Sequence, residues 1–222
     1  MKVCTDACLF GAWADISSAG RILDIGTGTG LLSLMAAQRN REALIEGVEV
    51  EEGAFLQTGQ NFRDSPYASR LAVHHTPVQA FFPDYRFQTI ISNPPFFQRD
   101  LKSPDMKSNT AHHAGALDFT ALSYAVDRLL APGGSFSILL PVAESTVYEK
   151  QQGSGWKLTT ELLLAHRPGL RPFRRMMTFV RTGEAKGSLA GRVAEELYIY
   201  EENGKNYDSA FKEYLKAFYL AF

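Results

Sequence analysis

Leu23-Asp24-Ile25-Gly26-Thr27-Gly28-Thr29-Gly30 is the stretch that decides the fold of this 222-residue chain. Residues 21–25 form a short apolar run that enters the glycines as a strand. Residues 31–39 leave them with apolar side chains at helical spacing. A strand, a glycine turn and a helix in that order make a ligand-binding unit, because glycine turns tightly and lets a ligand approach the backbone where a Cβ would stand. The order is Asp-x-Gly-x-Gly-x-Gly, not the Gly-x-Gly-x-x-Gly that leaves a helix N-terminus free for a pyrophosphate. Asp24 at the strand end suits a ligand carrying an ammonium group better than one carrying phosphates.

S-adenosylmethionine has such an ammonium and no phosphate, and it is the cofactor this loop predicts. The next strand, residues 43–50, ends at Glu49, 19 residues beyond Gly30. That spacing matches the acid that bonds ribose hydroxyls in Rossmann-like sites. Glu51 competes for the role, but with Glu52 it reads as the first turn of a helix over 52–63, where acids offset the dipole. Farther out, strands are predicted over 71–75, 87–92, 135–140, 156–165 and 176–182, with a short one over 198–200. Helices are predicted over 6–17, 117–130 and 209–218. This alternation gives an α/β fold with a mostly parallel, seven-stranded sheet flanked by helices. It reads as one domain over 1–222, with a short N-terminal helix (within 1–19) packing on the cofactor site and the strands and helix of 154–222 belonging to the same unit. Residues 98–113 have no periodicity and are long for a loop, so they read as functional or mobile.

A second motif, Ser92-Asn93-Pro94-Pro95-Phe96-Phe97, follows the fourth strand. Two prolines stiffen the turn by fixing φ and removing N–H donors. A stiff turn can aim the Asn93 side-chain oxygen and a nearby backbone carbonyl at one point, where they would take both hydrogens of an –NH2 group. Such binding orients the amine lone pair toward a methyl donor without a strong base. Phe96 can stack on a flat base or amide.

Composition narrows the classes. With 45% hydrophobic and 21% charged residues, the chain can build a core and is not a disordered segment. No apolar run approaches the ~18 residues that span a bilayer. The N-terminus lacks a secretory cleavage pattern, so a cytoplasmic location is expected. Cys4 and Cys8, four apart on a helix, are poorly placed for a disulfide and lack further ligands for a metal, so thiols and no metal are expected. A net charge of −1 excludes a globally basic nucleic-acid binder. Yet Lys150, Lys157, Arg167, Arg171, Arg174, Arg175, Arg181, Lys186 and Arg192 stand against only Glu161 and Glu184 in their stretch, which reads either as a phosphate-facing patch or as solvated surface.

These motifs match the amino-methylating branch of class I, Rossmann-like methyltransferases. The opening Lys2-Val3-Cys4-Thr5-Asp6-Ala7-Cys8-Leu9-Phe10-Gly11-Ala12-Trp13 more specifically resembles the signature of bacterial tRNA adenine N6-methyltransferases that modify the adenine beside the anticodon of a valine tRNA. The resemblance covers most of the chain. It implies cofactor contacts at Thr5, Asp6, Asp24, Gly26, Gly28, Glu49 and Asn93. It implies a catalytic group of Asn93, Pro94 and Phe96, with the target amine at Asn93 and Pro94 and Phe96 under the base. Pro95, Phe97, Arg171, Arg174 and Arg175 are then the expected RNA contacts, and tRNA the expected partner. The chain departs from the family pattern at three places. It starts at the Lys-Val signature, so a preceding segment is expected to be missing or trimmed. Pro77 stands where relatives often carry an Asp, which leaves backbone groups or Gln79 to hold the cofactor adenine. Ala111-His112-His113 replaces an expected Arg-His pairing, and neutral histidines weaken a phosphate contact.

Three other readings stay open on sequence alone. Protein glutamine N5-methylation uses the same acceptor turn but usually follows a helical domain, and only about twenty residues precede the glycine loop here. DNA adenine N6-methylation usually needs a separate recognition region. A non-catalytic relative would bind S-adenosylmethionine or RNA without needing the amine turn.

Overall fold

A computed structural model describes residues 4–95, 118–183 and 192–220. Phe96, Phe97, the 98–113 stretch with His112 and His113, and the charges Glu184 and Lys186 lie outside them. Five strands pair in parallel: β1 (Arg21–Ile25), β2 (Leu44–Glu49), β3 (Leu71–His75), β4 (Phe87–Ser92) and β5 (Leu130–Pro141). β7 (Arg174–Arg181) slots antiparallel between β5 and β6 (Trp156–Ala165), and β8 (Val193–Tyr198) lies parallel to β6 at the edge. The sheet has eight strands in the order β3-β2-β1-β4-β5-β7-β6-β8, one more than the sequence suggests.

Helices cover both faces, and the strands sort their side chains accordingly. Ile22, Ile91, Leu139, Leu164 and Met176 join a core with α1 (Thr5–Trp13), α2 (Leu31–Arg39) and α6 (Ser209–Leu215). Their chain neighbours Leu23, Ile90, Ile138, Leu140 and Met177 join the opposite core, with α4 (Phe119–Leu129) and Tyr148 of α5 (Val142–Gln152). This is the two-residue alternation of a strand buried on both sides. A further helix, α3 (Glu52–Asp64), follows β2.

From β1 the chain winds outward to β2 and β3, then returns to β4 on the other side of β1. Loops leaving β1 and β4 therefore diverge, and such a switch point opens a crevice at the C-terminal ends of the strands. Both sequence motifs lie there.

The structure differs from the sequence reading at several places: α1 stops at Trp13, short of residue 17, and α6 at Leu215, short of residue 218. α5 was not predicted, and its buried stripe consists only of Ser145 and Tyr148, too thin to show as helical periodicity. β5 begins at Leu130 and runs through Pro132-Gly133-Gly134, with a register irregularity opposite Phe87–Thr89. β7 begins two residues earlier than expected, at Arg174. β8 occupies Val193–Tyr198 instead of 198–200, and its first four residues are exposed. Charged, exposed residues such as Glu195 and Glu196 protect a sheet edge but hide the strand signal. Among the described residues, no helix is long and apolar enough to cross a membrane.

Candidate active site

The glycine turn is held by bonds from three directions. Gly26 and Thr27 donate their backbone N–H to Val48 O of β2, at 3.0 and 3.2 Å. Thr58 Oγ1 and Asn61 Nδ2 of α3 donate to the carbonyls of Gly28 and Thr29, at 2.5 and 2.8 Å. Gly28 N donates to Glu49 Oε2 at 2.8 Å. Gly30 has φ +84°, and a Cβ there would lie 2.6 Å from Phe62 Cε1, so only glycine lets α3 pack this close. At Gly26 the added Cβ would meet nothing within 4 Å, which leaves open space over the turn for a ligand.

Asp24 is fully buried beneath this turn. Its Oδ2 accepts from Thr27 Oγ1 (2.7 Å) and Ser33 Oγ (2.8 Å). Its Oδ1 is buried with no hydrogen-bond partner among the described residues. Burial pushes the Asp24 carboxyl up to about 6, while the Thr27 and Ser33 hydroxyls pull it the other way. A buried carboxylate with an orphan oxygen is a costly arrangement that a cation would relieve.

Glu49 and Glu51, which competed for one role in the sequence, are separated by their bonds. Glu51 is the N-cap of α3 and accepts from Gly53 N and Ala54 N at 3.0 and 2.6 Å. Those bonds hold its carboxyl below the ordinary value. Glu49 accepts from Gly28 N on Oε2 and from Val50 N and Glu51 N on Oε1 (2.8 and 2.9 Å). A carboxylate accepts at about four lone-pair positions, so Glu49 braces the turn and keeps room for one more donor. Pro77 precedes the short 3-10 turn Val78–Ala80 beyond β3, in which Gln79 is exposed.

On the other side of the switch point, Ser92 Oγ donates to Ile25 O at 2.8 Å and ties the end of β4 to the end of β1. Asn93 is the next residue, beside the glycine turn. Its Oδ1 is buried with no hydrogen-bond partner among the described residues. Pro94 is buried and Pro95 exposed. The orphan acceptors of Asp24 and Asn93 thus stand at the ends of adjoining strands.

The remaining expected residues are less uniform. Thr5 opens α1, and the N-cap residue Cys4 makes no side-chain cap bond. Asp6 Oδ1 accepts from Ala7 N (3.0 Å) and Oδ2 from Arg174 Nε (2.7 Å). Arg171 is exposed in the β6–β7 loop. Arg175, expected from the sequence to face RNA, is instead turned into the protein. It is 6% exposed, and it pairs with Glu161 Oε2 and Glu149 Oε2, each at 2.7 Å. Neighbouring strand residues point to opposite faces, so Arg174 and Arg175 cannot share one patch.

Comparison with known proteins supplies the decisive match. The chain is 52% identical to the tRNA1(Val) (adenine(37)-N6)-methyltransferase of Dyadobacter fermentans over all of this chain and 92% of the relative. It is 37% identical to the protein of that name from Pseudoalteromonas translucida, over 99% of this chain and 92% of the other. This chain belongs to the tRNA1(Val) (adenine(37)-N6)-methyltransferase family. The methyltransferase small domain family model matches residues 9–118, which include both motifs of the site. The family's fold recurs in a crystal structure of a predicted O-methyltransferase from Agrobacterium tumefaciens (TM-score 0.72, 20% identity, 95% of each chain). It recurs also in the glycopeptide N-methyltransferase MtfA complexed with S-adenosylmethionine (TM-score 0.58, 14% identity, 79% of this chain and 92% of that one). Thr27, Ser33, Thr58 and Asn61, which fix Asp24 and the turn, escaped the sequence reading. Small polar residues carry no pattern until the fold brings them to a buried carboxylate or carbonyl.

Proposed function

We propose that this chain transfers a methyl group from S-adenosylmethionine to N6 of an adenine in tRNA, the adenine being residue 37 of a valine tRNA. The observation that carries the reading is the buried, unpartnered Oδ1 of Asn93 beside the glycine turn, in a chain of this family. A lone buried acceptor at a crevice is the complement of a donor that arrives with the substrate.

The residues present fit the cofactor. Asp24 Oδ1 would accept from its ammonium group, Glu49 would take a ribose hydroxyl on its remaining lone pair, and the space over Gly26 would admit its chain. Bound there, S-adenosylmethionine supplies an electrophilic methyl. Asn93 accepts a hydrogen of the adenine amine and aims its lone pair into the crevice, and the proline turn keeps that acceptor from swinging away. Thr5 and Phe96 complete the proposed site. We assign the reaction to the cytoplasm, where such a tRNA substrate would be met. Nucleoside mass spectrometry after incubation with labelled S-adenosylmethionine and total tRNA tests the proposal. Label is expected on N6-methyladenosine, and label elsewhere, or none, would overturn it.

Cofactor binding carries a pH signature. With the carboxyl raised to about 6, Asp24 holds its proton below that pH and must release it to face an ammonium. About a tenth of such a group is ionised at pH 5, so affinity for S-adenosylmethionine is expected to rise roughly tenfold between pH 5 and 7. The sign reverses for stability of the ligand-free chain. The folded state keeps a proton that the unfolded chain gives up, so Asp24's contribution is full below pH 4 and is lost as pH rises through 6. Calorimetric titration across this range checks the first effect, and Asp24→Asn should flatten it.

β6 runs in the direction of β5, so the β6–β7 loop emerges on the same rim as the glycine turn. It exposes Arg167 and Arg171, which we assign to tRNA phosphates. Replacing both with Ala should weaken tRNA binding roughly tenfold at low salt and reduce the log–log salt slope by about one to two. An unchanged slope in filter-binding measurements would remove this loop from the interface.

A further inference from the structure

Arg174 stands among basic residues in sequence, but its bonds point elsewhere. Its Nε donates to Asp6 Oδ2 at 2.7 Å, joining residues 168 apart, with side chains 27% and 15% exposed. Arg174 is also fixed from behind. Its guanidinium carbon lies 5.3 Å from the centre of the Phe173 ring, Nη1 donates to Phe173 O (3.2 Å), and that ring stacks on His166 at 4.2 Å. Three contacts leave this side chain little freedom to search for a phosphate.

Two independent observations place the Asp6 end of α1 at the mouth of the crevice. Arg174 is the register partner of Pro141, the last residue of β5, so it sits on the C-terminal rim of the sheet. Arg39, the last residue of α2, donates to the carbonyls of Gly11 and Ala14 (2.8 and 2.6 Å), while Cys8 lines a groove of about 610 Å³ with Leu31, the first residue of α2. The two helices therefore run parallel. Since α2 starts at the glycine turn, the N-terminus of α1 returns to that turn.

We propose that Arg174 is a positioning residue for cofactor binding: through its pair with Asp6 it anchors the N-terminal turn of α1 against the rim of the sheet. The assignment rests on the functional reading above and deepens it. Without Arg174, Asp6 loses its anchor, and Thr5 and Asp6 no longer present one geometry to the ligand. A bidentate-capable guanidinium clamped on an aromatic ring suits this task better than a lysine.

The test measures S-adenosylmethionine affinity by calorimetry and tRNA affinity against salt for the full chain, with thermal melts alongside. Arg174→Met should raise the cofactor Kd about tenfold and leave tRNA affinity and its salt slope unchanged. Arg174→Lys should recover part of that loss, and Arg174→Met in an Asp6→Asn background should cost nothing further. Cofactor affinity unchanged in Arg174→Met, or a weaker, less salt-dependent tRNA affinity, would overturn the assignment and return Arg174 to the phosphate contacts. Should Arg174→Met melt too early to assay, Asp6→Asn must show the same cofactor loss, and normal binding there overturns the assignment. A wild-type chain that takes no cofactor at all brings down the functional reading itself, a result distinct from a failure confined to the variants.

Discussion

Asn93→Ala is expected to reduce methyl transfer to tRNA by about 10²- to 10³-fold while leaving the fold intact. The magnitude is that of removing one preorganised polar partner from a site where reactivity depends on it. The stability half of the expectation follows from the same atom. Asn93 Oδ1 is buried without a partner among the described residues, and such an atom costs folding free energy instead of supplying it. Deleting it should leave the melting temperature level or raise it, the usual trade at a site kept for function. Single-turnover rates with tRNA in excess, measured beside a thermal melt, check both halves. Full activity in the variant would contradict the role given to Asn93, and a large drop in melting temperature would make it a structural residue instead.

Arg175→Leu has the largest expected effect on stability. Its guanidinium is buried between β6, β7 and α5, where it meets Glu161 and Glu149, and Arg192 beside the start of β8 reaches the same two carboxylates. Burial pushes the Glu161 carboxyl up, but the two arginines outweigh it and hold it below the ordinary value. Its stabilising contribution is therefore present above the unfolded carboxylate pKa and is lost as pH falls. Removing Arg175 leaves Glu161 buried with one partner instead of two. Breaking a buried pair from one side costs about 3–5 kcal/mol, and the retained Arg192 puts this case near the lower limit. In a domain of this size, roughly 3 kcal/mol lowers the melting temperature by about 6–12 °C. Changing both partners, Arg175→Leu with Glu161→Leu, should recover most of that loss, because two apolar side chains leave no buried charge behind. A double variant as unstable as the single one would locate the defect in packing, not in the unpaired carboxylate.

The glycine loop was legible in the sequence because its signal is local. Glycine spacing, the acid at the strand end and the flanking periodicities all fall within Arg21–Arg39, and β1 and α2 have the boundaries expected. The same holds for Asn93, which directly follows a strand whose apolar run is hard to misread. The surroundings of Arg174 and Arg175 were not legible. Strand β7 was read from residue 176, which left Arg174 and Arg175 in a loop where both could face RNA. Two more residues of strand send them to opposite faces, one to Asp6 and the other to Glu149 and Glu161. Boundary errors of this size are small on a map of elements and decisive for a side chain's role. The Asp6–Arg174 contact had no sequence signal, since nothing in either segment names a partner so far along the chain.

One consequence of the strand order concerns synthesis. β6 leaves the ribosome before β7 but lies beyond it in the sheet, so it has no place to dock until β7 has emerged and inserted alongside β5. Through that interval the nascent protein carries β5 as a bare, apolar border, the kind of edge that captures strands from other molecules. Arrival of β7 closes this border and offers β6 its only neighbour on that side, which makes the last third of translation the period when aggregation threatens most.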